Sequence, residues 1–250
     1  MFGKIRKLDG LCFTIDLEWA VDEVLDSTLQ IFQDFDVPVT LFCTHRVDRK
    51  PVELAIHPNF RLEGDIVRRF LASSPSVSKL SQRELYTFVV QQFLTMVPGA
   101  KGVRAHSRHM DTELLRLYDT LGLVYDSSLG MLMQESAPFY ITEKLIEFPI
   151  YYLDHADVVN NFTGFDLKQL ALDRPGLKVL DFHPNLVFIN AESESHYHAS
   201  RACYHDPEGL KDFVNPGRGV RTLLLDLLDY VKRHSIPCFT LSQASRLVRG

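Results

Sequence analysis

Short, continuously apolar runs recur along this chain, and most are followed by a segment of helical periodicity. LCFTI at 11–15 precedes VDEVLDSTLQIFQDF, where Val21, Val24, Leu25, Thr28, Phe32 and Phe35 fall on one helical face. VPVTLFCT (37–44) and VELAI (52–56) are apolar throughout, as strands covered on both faces are in parallel sheets. SQRELYTFVVQQFLTMVPG (81–99) opens with Ser81 and Glu84 at capping-box spacing and predicts a helix, and DTELLRLYDTLG (111–122) predicts another with Asp111 as N-cap. GVRAH (102–106), LVYD (123–126), LIEFPIYYL (145–153) and LKVLDF (177–182) read as further strands. VRTLLLDLLDYVKRHS (220–235) reads as a helix and PCFTL (237–241) as a last strand. This alternation predicts an α/β fold, a (β/α) barrel of about seven parallel strands. An open doubly wound sheet would call for a glycine fingerprint in its first turn, and DLEWAVDE has no glycine. With 250 residues, 46% of them hydrophobic, the core suits one domain spanning 1–250.

The tripeptide HPN occurs twice, at 57–59 and 183–185, each time ending an apolar run with an imidazole that proline prevents from continuing. Other ionisable groups fall at the same places. Asp16 and Glu18 end the first strand, His45 follows the second, and Arg104 and His106 end the fourth. Asp126 ends the fifth, and Asp154 and His155 follow the sixth. In an α/β barrel all these ends share one face, so the groups converge there. A carboxylate and an imidazole on opposite sides of a substrate serve as general base and general acid, and further imidazole and carboxylate groups hold a divalent metal. No G-x-S-x-G marks a serine hydrolase, and PGAKG at 98–102 is no P-loop. A net charge of −5 speaks against a nucleic-acid partner. The four cysteines lack C-x-x-C spacing, no signal-peptide core precedes Asp16, and no apolar run spans a bilayer, which leads to the expectation of a cytoplasmic chain.

FTIDLEW, ELAIHPNF, GVRAHS, GLVYDSS, IEFPI and LDFHP, in this order over residues 11–245, resemble the motifs of the polysaccharide deacetylase (NodB-homology) family. The resemblance implies a distorted (β/α) barrel that removes acetyl groups from sugars with zinc or a related divalent ion; some relatives deformylate amino-sugar lipids or open cyclic amides. Carried over, Asp16 is the general base, Arg104 orients it, His57 is a metal ligand and His183 is the general acid. Three positions depart from the pattern. Leu17 replaces the second aspartate of the first motif, and strand alternation places Glu18 on the face of Asp16 as its substitute. Arg61, which cannot ligate a metal, replaces the family's second metal histidine. His106 stands in place of a proline after the arginine, so His106 or His109 supplies the missing imidazole. Asn59 is a neutral ligand in reserve or a group supporting the site.

Trp19, Asn59, Asp126 and Asp154 are expected to contact substrate, with Asp154 or Asp126 alternatively beside His183 to keep its ring charged, and Trp19 and Tyr151 offer rings for stacking on a sugar. The stretch 192–206, with His196, His198 and His205, is expected as a loop, solvated or acting as a lid. The expected substrate is an acylated sugar or a small amide. The competing expectation is a carbohydrate-binding or scaffold relative without metal, favoured by Leu17 and Arg61.

Overall fold

A computed structural model of the chain describes residues 4–18, 20–49, 52–73 and 81–249. Its strands are β1 (Gly10–Asp16), β2 (Val39–Cys43), β3 (Glu53–Ile56), β4 (Gly102–Val103), β5 (Tyr125–Asp126), β6 (Phe139–Tyr140), β7 (Ile146–Glu147), β8 (Ile150–Leu153) and β9 (Leu177–Phe182). They form one curled sheet in the order β6-β7-β5-β4-β3-β2-β1-β9-β8. Every neighbouring pair is parallel except β6 with β7. Past β5 the chain also reaches β8: the Ile150 amide donates to Leu129 O at 2.8 Å, and the Met131 amide donates to Ile150 O at 2.9 Å. These bonds draw the far ends of the parallel sheet together into a barrel.

Alternation along β1 sorts the core into two layers. Leu11, Phe13 and Ile15 point outward to the helices, while Cys12 points inward with Phe42, Ala55, Tyr125 and Val179. Outside lie α1 (Asp22–Asp34), α2 (Asp65–Ser73), α3 (Gln82–Met96), α4 (Thr112–Thr120) and α5 (Asp154–Asn160). They are followed by α6 (Pro184–Phe188), α7 (Glu194–Ser200), α8 (Pro207–Lys211), α9 (Val220–His234) and α10 (Leu241–Arg249). The Ser81–Glu84 capping box forms at α3, and Asp111 caps α4 through Glu113 N at 2.8 Å.

Three expectations change. LIEFPIYYL is two strands, because Pro149 has no N–H to donate; pairing lapses there and the chain changes neighbour from β5 to β9. PCFTL makes only a bridge between Cys238 and Leu11, and α10 follows. Leu241, Ala244 and Val248 of that helix plug the barrel's floor. Glu53 anchors the plug by accepting from Ser242 N at 3.0 Å and Tyr125 Oη at 2.7 Å, a carboxylate at a helix N-terminus. The stretch 192–206 is not a loop either: α7 and a 3-10 turn (Arg201–Cys203) pack there, with Tyr197 buried. No helix among the described residues is long and apolar enough to cross a membrane.

Candidate active site

Strand pairing carries on past the assigned strand ends and sets the site residues in place. Cys43 O accepts from His57 N at 3.0 Å, Ile56 O from Arg104 N at 3.1 Å, and Pro58 O from His106 N at 2.9 Å. Glu18 is reached differently from the alternation expected of it. The chain turns after Leu17 into the left-handed region, φ +42° at Glu18, and Thr44 Oγ1 pins the turn by donating to Glu18 O at 2.8 Å. Such a conformation is costly for a residue with a Cβ and persists where the surroundings enforce it.

This turn puts the Glu18 carboxylate among three imidazoles. Its Oε1 lies 3.0 Å from His106 Nδ1, 3.7 Å from His57 Nε2 and 4.0 Å from His183 Nε2. Burial disfavours its charge, yet His106 and His57 hold its carboxyl far below the usual range. His57 is buried with neither ring nitrogen hydrogen-bonded. One donor atom each from Glu18, His57 and His106 lie within 4.8 Å of one another. Two imidazoles and a carboxylate, one imidazole with orphaned nitrogens, form a donor set that suits a divalent cation such as zinc. A second trio, Asp16, Asp181 and His183, is equally close. There the Arg104 guanidinium already sits on both carboxylates and competes with any cation.

Behind the trio lies a buried polar floor. Arg104 Nη1 donates to Asp16 Oδ1 at 2.9 Å, to Thr14 Oγ1 at 2.9 Å and to Asp181 Oδ1. Its Nε and Nη2 donate to Ser127 O at 2.7 Å and Ser127 Oγ at 2.8 Å, and its plane lies 4.3 Å from the centre of the Phe42 ring. Burial acts against the Asp16 charge, but Arg104, His57 and His183 hold its carboxyl below the usual range. Burial, only partly offset by Arg104, pushes Asp181 up to about 7, the Asp16 charge adding to the rise.

On the opposite side His183 Nδ1 lies 2.6 Å from Asp154 Oδ1, while Asp154 Oδ2 accepts from His183 N at 2.7 Å. Asp154 therefore fixes both ring and backbone and leaves Nε2 directed toward Glu18. Burial opposes the imidazolium, yet the Asp154 charge and hydrogen bond raise its pKa well above the ordinary value. A cleft of about 350 Å³ opens over Asp16, Glu18, His106 and His183, walled by Tyr197 and Tyr204.

Several expected contacts lie elsewhere. Asp154 is buried under His183 and does not line the cleft. Asp126 is buried beside Glu147, accepting from Ser128 Oγ at 2.6 Å, and it too does not line the cleft. Tyr151 is a core residue whose hydroxyl donates to Leu170 O at 2.8 Å. Of the two candidate imidazoles, His106 joins the cluster, while His109 packs on Phe60 and meets Tyr86 Oη at 3.0 Å. Asn59 lines a smaller recess behind His57, its Oδ1 accepting from Arg61 N at 3.0 Å. His45 is exposed beside Thr44. His196 meets Phe213 O at 2.7 Å, and His198 pairs with Glu194 on the surface. Trp19 lies outside the described residues.

Asp181, Ser127 and the tyrosines of α7 and the turn after it went unread in the sequence. A charged residue in LKVLDF at the inward register, two before His183, was the available signal for Asp181.

The family model for WbmS-like polysaccharide deacetylases matches residues 13–201. Among solved structures, the chain is similar to a candidate polysaccharide deacetylase involved in O-antigen biosynthesis from Bordetella bronchiseptica. Identity is 28% over 88% of this chain and 90% of that one, with a TM-score of 0.73. Its fold is shared by PuuE allantoinase, at 13% identity and TM-score 0.58 over 95% of this chain and 89% of that one. The fold also matches a CE4 family pseudoenzyme from Bacillus anthracis, at 12% identity and TM-score 0.50 over 96% and 66%. The curated proteins contain no significant match.

Proposed function

Because the chain belongs to the WbmS-like polysaccharide deacetylase family, we propose that it is a metal-dependent hydrolase that removes an acetyl or formyl group from the nitrogen of an amino sugar. The observation that carries this reading is the buried His57, with neither ring nitrogen hydrogen-bonded, facing Glu18 beside His106. Glu18, His57 and His106 would hold the divalent ion, zinc by donor type. When bound, such an ion polarises the acyl carbonyl and makes water acidic near neutral pH.

The chain's own groups then divide the proton work. Asp16, kept ionised and aimed by Arg104, accepts a proton from the attacking water. His183, kept charged by Asp154, donates from Nε2 to the leaving nitrogen as the C–N bond breaks. Water and amide become a carboxylic acid and an amine, with one proton taken at Asp16 and one delivered at His183. Donor atoms of Asp16 and His183 lie within 4.8 Å of each other, so both face one reacting centre.

The competing reading is a sugar-binding relative without catalysis. Leu17 and Arg61 favour it; Glu18 and His106 weigh against it, because they return the donors that those two residues remove. Metal analysis of the purified chain, with release of acid from N-acetylated and N-formylated amino sugars, tests the proposal. We expect near-stoichiometric metal that His57→Ala abolishes, and turnover that Asp16→Asn lowers by about 10²-fold or more while metal is kept. Metal content unaffected by His57→Ala sinks the assigned ligand set. Wild-type turnover in the Asp16→Asn protein removes the base.

A further inference from the structure

Two guanidiniums line the catalytic cleft without a part in the chemistry above. Arg61 lies on the turn after β3, and Arg108 comes two residues past His106. Both are exposed. Arg49, Arg68, Arg104, Arg174, Arg218 and Arg233 each pair with a carboxylate; among the described residues Arg61 and Arg108, like several other arginines, do not. The carboxylates lining the cleft are Asp16 and Glu18, and these are engaged by Arg104 and His106. The entrance therefore carries two guanidiniums that no carboxylate among the described residues pairs with.

Arg108 is also placed at a cost. Ser107 and Arg108 are consecutive left-handed residues, φ +57° and +56°, an arrangement that non-glycine residues rarely adopt. The Arg108 guanidinium rests against Gly130, where an added Cβ would come 2.1 Å from Nη1. The missing side chain of Gly130 is thus the space that the guanidinium uses. A strained backbone and a reserved space hold one cationic fork at the wall of the cleft, and such forks match the oxygens of phosphate or carboxylate.

We infer that the substrate is an anionic acylated amino sugar, whose phosphate or carboxylate group is gripped by Arg61 and Arg108. Placing the acyl group between Asp16 and His183 rests on the hydrolase reading; the anion contact itself does not. Calorimetric binding to the full chain tests it with three probes: N-acetylglucosamine, N-acetylglucosamine 1-phosphate and an N-acetylated hexosaminuronic acid. At least one anionic probe is expected to bind about tenfold or more tighter than the neutral sugar. A gap confined to the phosphate or to the uronic acid identifies which oxyanion is read. Arg61→Ala and Arg108→Ala should each shrink the gap severalfold. Gly130→Ala, which keeps both guanidiniums but displaces Arg108, should do the same. Equal or undetectable binding of all three probes overturns the inference, as does a gap that survives both arginine substitutions. An anion preference without any acid release defeats the hydrolase reading alone, and turnover of neutral sugars without the preference defeats this one alone.

Discussion

At the scale of single residues, Asp154 shows how one carboxylate sets the working range of a site. It holds His183 by ring and backbone together, so the imidazolium survives burial that would otherwise expel its charge. An acid catalyst must be protonated to act, and activity falls as pH rises through its pKa. The alkaline limb of the rate profile should therefore lie above an ordinary histidine's range, and Asp154→Asn should move it toward lower pH. Activity above neutrality drops in that variant while metal content stays. A kcat profile in which the limb stays put assigns it to another group. Much of this residue set was legible in the sequence: Asp16, His57, Arg104 and His183 end strands, and strand ends converge. Asp154 was legible only as one of two readings, a substrate contact or a carboxylate beside His183, and it lies beside His183. Nothing in the string distinguishes a carboxylate pointing into the cleft from one tucked beneath a histidine, since both follow β8 directly. Glu18 was placed by alternation, yet it arrives by a left-handed turn that no periodicity encodes.

At the scale of elements, long periodic segments were readable and short ones were not. α1, α3, α4 and α9 follow from hydrophobic spacing and caps, and β1, β2, β3 and β9 from continuous apolar runs. Two-residue strands such as β4 and β7 carry too few side chains for a pattern, and tertiary pairing alone defines them. The last element failed for a clearer reason. Pro237 to Leu241 has a strand's composition, but Leu11 can pair with it only briefly before α10 turns under the barrel. That helix buries Leu241, Ala244 and Val248 against the inward side chains of the sheet. Leu241 is fully buried in this plug. Leu241→Ala should cost about 2–5 kcal/mol of unfolding free energy, the range for a leucine removed from a packed core. Urea denaturation measures it. A loss below about 0.5 kcal/mol, the scatter of ordinary surface substitutions, means that α10 does not seal the floor.

At the scale of the whole molecule, the barrel interior holds more carboxyl groups than it can leave charged. Asp16, Asp181, Asp126 and Glu147 are buried around Arg104, a single permanent cation. Arg104 keeps Asp16 ionised, and the protein yields elsewhere: Asp126 is pushed up to about 6 by burial, against the hydrogen bond from Ser128. Burial raises its strand neighbour Glu147 well above the carboxylate range, and the Asp126 charge raises it further. One oxygen of each of these two carboxyls is buried without a hydrogen-bond partner. A carboxyl whose folded pKa lies above its unfolded value binds its proton more tightly in the native state. Its contribution to stability is complete below the unfolded pKa, near 4, and is lost as pH rises through the folded pKa. For Asp126 this window runs from about 4 to about 6, and for Glu147 it extends higher. Asp126→Asn keeps the shape and an acceptor for Ser128 while removing the charge that disfavours Glu147 ionisation. Relative to wild type, the variant should be slightly less stable or equal near pH 4 and more stable above pH 6, by on the order of 1–3 kcal/mol. Thermal unfolding of both proteins across this range measures the crossing. Parallel curves, offset by a constant amount at every pH, leave the pair with no part in the pH dependence of the fold. A crossing shows that the interior spends stability at neutral pH to hold Arg104 and Asp16 charged beneath the site.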